Sequence, residues 1–179
     1  MLHTQSYDTE KDSYTWLVPL LVLLGVGARL TPHPWNVSPV AAFALFSGTI
    51  LPKRWSLIVP LATMIISDYL IGLHATVPFT WGAVLLISFL GWLLRDRFGW
   101  TKLLGTSLLG SCLFFLITNF GVWAIGDWYP RTAEGLWTCY VAGIPYFRGT
   151  LLGDLACSFG LFGLLRAAMA LGWTRPLTR

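Results

Sequence analysis

Six stretches of apolar residues, separated by short polar segments, constrain the fold of this chain more than any other feature. They run over Trp16 to Leu30, Pro39 to Leu51, Trp55 to Leu73, Val77 to Leu94, Lys102 to Gly126 and Gly149 to Trp173. A helix that crosses a bilayer needs about 20 predominantly apolar residues. The sequence therefore predicts an all-α membrane protein, a bundle of six transmembrane helices.

The second stretch is the shortest and is rich in small residues. Ala41, Ala44 and Gly48 would let neighbouring helices approach closely, so we expect a short or tilted helix that is buried against its neighbours. Ala44 and Gly48 form an Ala-x-x-x-Gly pair, as do Ala168 and Gly172. Internal packing is the favoured interpretation of both pairs, and docking to another membrane subunit is the alternative.

The composition agrees with a membrane protein. Hydrophobic residues make up 55% of the chain and charged residues 11%, whereas soluble domains carry about 25% charged residues.

The 179 residues suffice for one compact bundle, with a cytoplasmic tail over residues 1–14, a transmembrane domain over 15–173 and a second tail over 174–179. The first tail has no basic segment and no small-residue cleavage site, so we interpret it as a retained tail and not as a signal peptide.

The Lys and Arg residues predict the orientation. Three of the twelve, Arg29, Arg131 and Arg148, fall on one side of the predicted bundle, and the other nine fall on the side that holds both termini. Cytoplasmic loops carry the excess of positive charge, so both termini are expected in the cytoplasm. Because the basic residues are scattered among short loops, the net charge of +4 does not indicate a nucleic-acid partner.

The outer segments contain most of the polar and aromatic side chains. These segments cover residues 31–39, 73–78 and 127–148. We expect Asp127 to Pro130 to begin a lid over a binding pocket. Sites for small organic molecules combine apolar and aromatic walls with a few placed polar groups, although Trp and Tyr also anchor proteins at membrane interfaces. The candidate substrate-binding residues are His33, Trp35, Asn36, Asp68, His74, Asn119, Trp123, Tyr129, Arg131, Tyr146 and Arg148.

Four polar residues near the outer ends of the apolar stretches need partners. They are Arg29, Asp68, Asn119 and Asp154. An ionised group inside a bilayer costs about 2.5–3.5 kcal/mol on insertion scales and normally faces the interior of the bundle or a cavity. One interpretation is a structural ion pair, Arg29 with Asp68 or Arg148 with Asp154. The other is a share in ligand binding, and the two are compatible.

No catalytic, nucleotide-binding or metal-binding motif is present in the sequence. Cys112 and Cys157 lie in apolar stretches and are expected to be packing residues, while Cys139 lies in a predicted polar loop where it could serve as a thiol ligand. We therefore expect a protein that is not an enzyme and that has no cofactor and no metal of its own.

Several segments together resemble a known family. They are "RLTPHPWNVSPVAAFALFSG", "ISDYLIGLH", "TNFGVWAIGDWYPRTAEGLWTCYVAGIPYFRGTLLGD" and "LFG", which span Arg29 to Gly163. They resemble a family of small bacterial membrane proteins that are described as transport proteins and are similar to the S-components of energy-coupling-factor (ECF) transporters. The resemblance implies a multi-pass protein of the bacterial inner membrane that captures a vitamin-like solute at its outer face. It also implies as partners a separate transmembrane subunit and ATPases, which release the solute inward as the S-component topples.

One subgroup of similar size, the solitary cobalamin transporters, makes cobalamin the leading expected solute. Those proteins bind cobalt through a cysteine near the start of the fourth helix, where this chain has Thr80 and Trp81. The nearby His74 is the alternative cobalt ligand, because neutral imidazole binds such metals.

Two other functions stay open at this point. One is a membrane enzyme that acts on a lipid or periplasmic substrate through Asp68, His74 and Asp154. The other is a structural or assembly subunit of the membrane, for which the outer polar residues would have no role in activity.

Overall fold

The computed structural model describes residues 17–31, 39–95 and 98–172, and these residues form six helices and no strand. The helices are α1 Leu17–Leu30, α2 Val40–Ile50, α3 Lys53–Ile71, α4 Val77–Trp92, α5 Trp100–Ile125 and α6 Ala133–Ala170. The prediction of an all-α protein is confirmed. Helices α3, α5 and α6 are long and apolar enough to cross a membrane, and α1, α2 and α4 are shorter apolar helices.

Helix α2 lies at the centre of the bundle and contacts each of the other five helices. Nine of its 11 residues are buried, which confirms the predicted short, buried helix. Its closest neighbour is α4, because Gly48 and Gly91 face each other. A methyl group on Gly48 would overlap the Ser88 carbonyl oxygen, and one on Gly91 would lie 2.5 Å from the Leu45 carbonyl oxygen. The Ala44 and Gly48 pair therefore serves internal packing.

The two ends of α2 bind side chains of opposite charge. The Ala42 N–H donates to Asp154 Oδ1 at 3.2 Å near the N-terminus. At the other end, Arg95 donates from Nε to the Gly48 carbonyl oxygen at 2.8 Å and from NH2 to that of Leu51 at 2.5 Å. Helix ends leave N–H and C=O groups without partners and carry partial charges. A carboxylate at the N-terminal end and a guanidinium at the C-terminal end therefore suit both ends of α2.

The predicted outer loop over residues 127–148 is wrong for most of its length. Helix α6 begins at Ala133 and runs for 38 residues through Pro145, which is about 57 Å. Only a short turn separates it from α5, and Thr132 caps it by accepting a hydrogen bond from the Gly135 N–H at 3.1 Å. The segment from Asp127 to Pro130, predicted to begin a lid, is part of this turn.

The outside of the bundle carries large apolar side chains. Leu23, Leu152 and Leu164 are each about two-thirds exposed or more, at 70%, 67% and 72%. A soluble monomer rarely exposes wide apolar surfaces, whereas a surface that faces lipid is expected to be apolar. The exposed leucines thus agree with the three long apolar helices in indicating a membrane protein. The predicted tails, 1–14 and 174–179, lie outside the described residues.

Candidate functional site

A buried charged cluster joins the ends of three helices. Asp68, in the last turn of α3, is 1% exposed. Its Oδ1 accepts a hydrogen bond from Arg29 NH2 of α1 at 2.5 Å, and the two residues form a salt bridge. Its Oδ2 accepts a hydrogen bond from Trp81 Nε1 of α4 at 2.7 Å. The Arg29–Asp68 pair, one of the two interpretations of these charges, is therefore present.

The charges of Arg29 and Asp68 balance, but two of the Arg29 nitrogens lack a strong hydrogen-bond acceptor among the described residues. Its NH1 group donates to the Met64 sulfur, which is a weak acceptor. Its Nε is buried and has no hydrogen-bond partner among the described residues. Since a guanidinium has five N–H donors, Arg29 has donor capacity beyond its bond to Asp68.

An apolar cavity of about 400 Å³ lies beside the cluster and is open along one side to the outside of the bundle, where Leu24 and Leu164 are exposed. Arg29 and Met64 lie in its wall, which is otherwise almost entirely apolar. Helices α1, α2 and α6 supply its main side chains, which are Leu21, Leu24, Phe43, Leu161 and Leu164. Along α1 the cavity extends from Leu21 to Arg29, which is about 12 Å of helix. The cavity is therefore elongated, with an apolar body and a charged end.

The packing of α1 explains why this space exists. In the described part of the chain α1 contacts α2 and α3 and makes no close backbone contact with α6. Gly25 draws α1 against α3, because a methyl group there would lie 2.7 Å from Thr63 Cγ2. Gly160 on α6 faces the cavity, and a methyl group added there would meet nothing within 4 Å. The cavity is thus the gap between α1 and α6.

Asn119 and Trp123 were predicted to line an outer pocket, but they join α5 to the turn and to α6. The Asn119 side chain donates to the Phe115 carbonyl oxygen of its own helix at 2.8 Å, and it packs where Gly143 of α6 has no side chain. Trp123 Nε1 donates to the Pro130 carbonyl oxygen at 2.9 Å. Cys139, predicted to lie in a polar loop, is buried in α6, and its thiol contacts the Asn119 carbonyl oxygen at 3.4 Å. Their contacts are those of a helical hairpin.

The other predicted site residues are spread over the surface. His74 is exposed in the turn between α3 and α4, with Nδ1 2.7 Å from the Thr76 hydroxyl. Tyr129 is half-buried and Arg131 exposed in the turn before α6, and Tyr146 and Arg148 are exposed on α6 itself. His33, Trp35 and Asn36 lie outside the described residues. Of the predicted residues that the structure describes, Asp68 adjoins the cavity through its salt bridge with Arg29, which lies in the cavity wall.

Asp154 is the second buried carboxylate, also 1% exposed. Its Oδ2 accepts a hydrogen bond from the Ser111 hydroxyl at 2.8 Å, and its Oδ1 accepts the bond from the Ala42 N–H of α2. The alternative pair of Arg148 with Asp154 does not form in the described structure. In the same ranges, no three His, Cys, Asp or Glu side chains converge to hold a metal ion.

Sequence reasoning missed Trp81 and the walls of the cavity. Trp81 was noted only as a residue where a cysteine ligand was expected, yet its indole N–H completes the partners of Asp68. Polar residues in apolar stretches did identify Arg29 and Asp68. The cavity walls could not be found in this way, because they use the same apolar residue types as a packed core.

The comparisons with known proteins identify a family and no function. The family described as "Family of unknown function (DUF6580)" matches residues 9–173. No curated protein and no solved structure matches the chain. Because the match covers most of the sequence, the chain belongs to the DUF6580 family.

Proposed function

We propose that this protein captures a small solute in the bacterial inner membrane, in the manner of an ECF S-component, and that the cavity between α1 and α6 is its binding site. The cavity is the observation that carries the proposal. Its volume of about 400 Å³ lies within the range of about 300–1,000 Å³ that is usual for sites of small ligands. The described part of its wall combines apolar side chains with one charged residue, Arg29, and a mostly apolar wall with a few polar groups is usual for such sites.

The proposed topology has six crossings with both termini in the cytoplasm. The distribution of Lys and Arg supports it, and so does the central position of α2, which the other helices surround. A helix of 11 residues is too short to cross a bilayer alone, but α2 has side-chain partners at both ends. In this topology Arg29 and Asp68 lie toward the outer side, and the solute enters from there.

The volume of the cavity favours a solute that is smaller than cobalamin. About 400 Å³ is near the lower end of the range for drug-sized ligands, and a corrinoid is larger than such ligands. Cobalamin, with His74 as a cobalt ligand, is kept as an alternative occupant to be tested. Release inward would require the ECF-type transmembrane subunit and ATPases, because no nucleotide-binding motif occurs in the sequence.

A matched pair of glycine variants tests the site. Gly160 and Gly163 are both in α6, and a methyl group added at either would meet nothing within 4 Å, but only Gly160 lines the cavity. We expect Gly160→Leu to fill the space between α1 and α6 and Gly163→Leu to leave it open. Native mass spectrometry of the gently extracted protein, followed by thermal shifts with a panel of vitamins, would detect the bound solute.

The expected result is a bound small molecule, or a vitamin that raises the melting temperature, in the wild type and in Gly163→Leu but not in Gly160→Leu. A wild type that carries no molecule and responds to no vitamin would contradict the proposal. Equal binding in both leucine variants would place the solute outside the cavity, and a response to cobalamin alone would favour a larger outer site.

A further inference from the structure

We propose that the cavity takes an uncharged molecule with an apolar body and one hydrogen-bond acceptor oxygen, which binds Arg29 NH1 in place of the Met64 sulfur. This inference rests on the proposed function, since it names the class of solute that the cavity would select. Arg29 and Met64 both line the cavity. Both residues of the contact between NH1 and the sulfur therefore border the cavity, and because Met64 is 2% exposed, its side chain must move before a bound molecule can reach NH1.

The hydrogen bonds of Arg29 indicate that an acceptor belongs at this position. One Nη group is bonded to Asp68, the other meets only a thioether, and Nε has no partner among the described residues. Thioether sulfur is a weak acceptor, and N–H groups without good partners are costly at membrane depth. An oxygen atom from a ligand would be a much better partner for NH1, and Met64 could give way because its side chain is flexible.

The charges around Arg29 indicate that this oxygen belongs to a neutral group. Asp68 already balances the guanidinium at 2.5 Å, so an anionic ligand would add an unbalanced charge to an apolar site. Burying such a charge is unfavourable unless a further cation is close by, and Arg29 is the one cationic side chain among the described residues of the cavity wall. A ketone, ester or amide oxygen supplies the acceptor without adding charge.

Three molecules of the same chain length separate these alternatives: methyl octyl ketone, decane and decanoate. Each would be delivered to the purified full-length protein from the same detergent, and binding would be measured by native mass spectrometry and thermal shift. A hydrogen bond to a charged group is equivalent to about a tenfold change in affinity or more. We therefore expect the ketone to bind at least about tenfold more tightly than decane, and decanoate to bind more weakly than the ketone.

Two substitutions should move this selectivity in opposite directions. Arg29→Lys keeps a cation beside Asp68 but removes the guanidinium fork, so the preference for ketone over decane should shrink toward onefold. Met64→Leu nearly conserves the volume but removes the competing acceptor of NH1, so the preference should grow. Met64→Leu tests the inference by itself, because it leaves the Arg29–Asp68 pair in place.

The outcomes also separate this inference from the proposed function. If ketone and decane bind equally, or if decanoate binds best, the inference fails while the cavity remains a binding site. If none of the three binds and Gly160→Leu changes nothing, the cavity is not a binding site and both proposals fail. A preference that neither falls in Arg29→Lys nor rises in Met64→Leu would also overturn the inference, because the guanidinium would then not be the donor.

Discussion

The two buried carboxylates, Asp68 and Asp154, are equally inaccessible but are stabilised in different ways. Each is 1% exposed and lies within an apolar helix. Asp68 has a cation 2.5 Å away and an indole N–H as its second donor. Asp154 has a backbone N–H at the start of α2 and a serine hydroxyl. The first is half of an ion pair beside a cavity, and the second is a cap for the central helix.

This difference predicts which carboxylate needs its charge. Removing the charge of Asp68 leaves Arg29 as an uncompensated cation in a buried position, which is the expensive case for a buried pair. Asp154→Asn keeps one oxygen that can accept from the Ala42 N–H, and its NH2 group can donate to the Ser111 hydroxyl once that hydroxyl rotates. No buried group is then left without a partner, so the substitution costs much less. The same substitution at the two positions should therefore give very different results.

The largest effect is expected for Asp68→Asn. Breaking a buried ion pair by removing one partner costs about 3–5 kcal/mol, and an amide cannot balance Arg29. Denaturant unfolding of the purified protein in mixed micelles would measure this loss. The double variant Arg29→Met with Asp68→Leu is the control, because replacing a buried pair by apolar residues is often nearly neutral. If the double variant is less stable than Asp68→Asn, the cost does not come from the unpaired charge.

An intermediate effect is expected for Trp81→Phe, which removes the second donor of Asp68. A hydrogen bond to a charged group contributes about 1.5–3 kcal/mol, so the free energy of unfolding should fall by roughly that amount. Trp123→Phe is the matched control, because that indole donates to the neutral carbonyl oxygen of Pro130 and should cost about 0.5–1.5 kcal/mol. Equal losses in the two variants would mean that the charge of Asp68 does not strengthen its bond with Trp81.

The sequence predicted the helices well where apolar length alone decides the structure. The predicted stretches for α1 to α5 differ from the observed helices by no more than two residues at either end. Gly48 and Ala44 correctly indicated the buried character of α2, because only small residues allow helices to approach so closely. Arg29 and Asp68 also followed from the sequence, since charges in apolar stretches need partners.

The start of α6 could not be predicted in the same way. Residues 133–148 have no clean amphipathic pattern and include Pro145, which weakens a helix, so a loop was the natural expectation. Contacts with α5 override that local preference. The Tyr140 hydroxyl donates to the Leu116 carbonyl oxygen at 2.9 Å, and Gly143 lets Asn119 approach. The cavity was also unpredictable, because a gap between helices depends on how they pack and has no signature in the sequence.

The smallest effect is expected for Asp154→Asn, the direct counterpart of the first variant. The amide keeps an oxygen that can accept from the Ala42 N–H, so the free energy of unfolding should fall by only about 1 kcal/mol, the difference between a charge-assisted and a neutral hydrogen bond. Asp154→Ala removes both acceptors and leaves the Ala42 N–H and the Ser111 hydroxyl buried without partners, which should cost about 1–3 kcal/mol for each. Denaturant unfolding in the same micelles would compare the two. A loss for Asp154→Asn as large as that for Asp68→Asn would show that the charge itself is needed, and that α2 is stabilised by the carboxylate acting on its helix dipole as well as by hydrogen bonds.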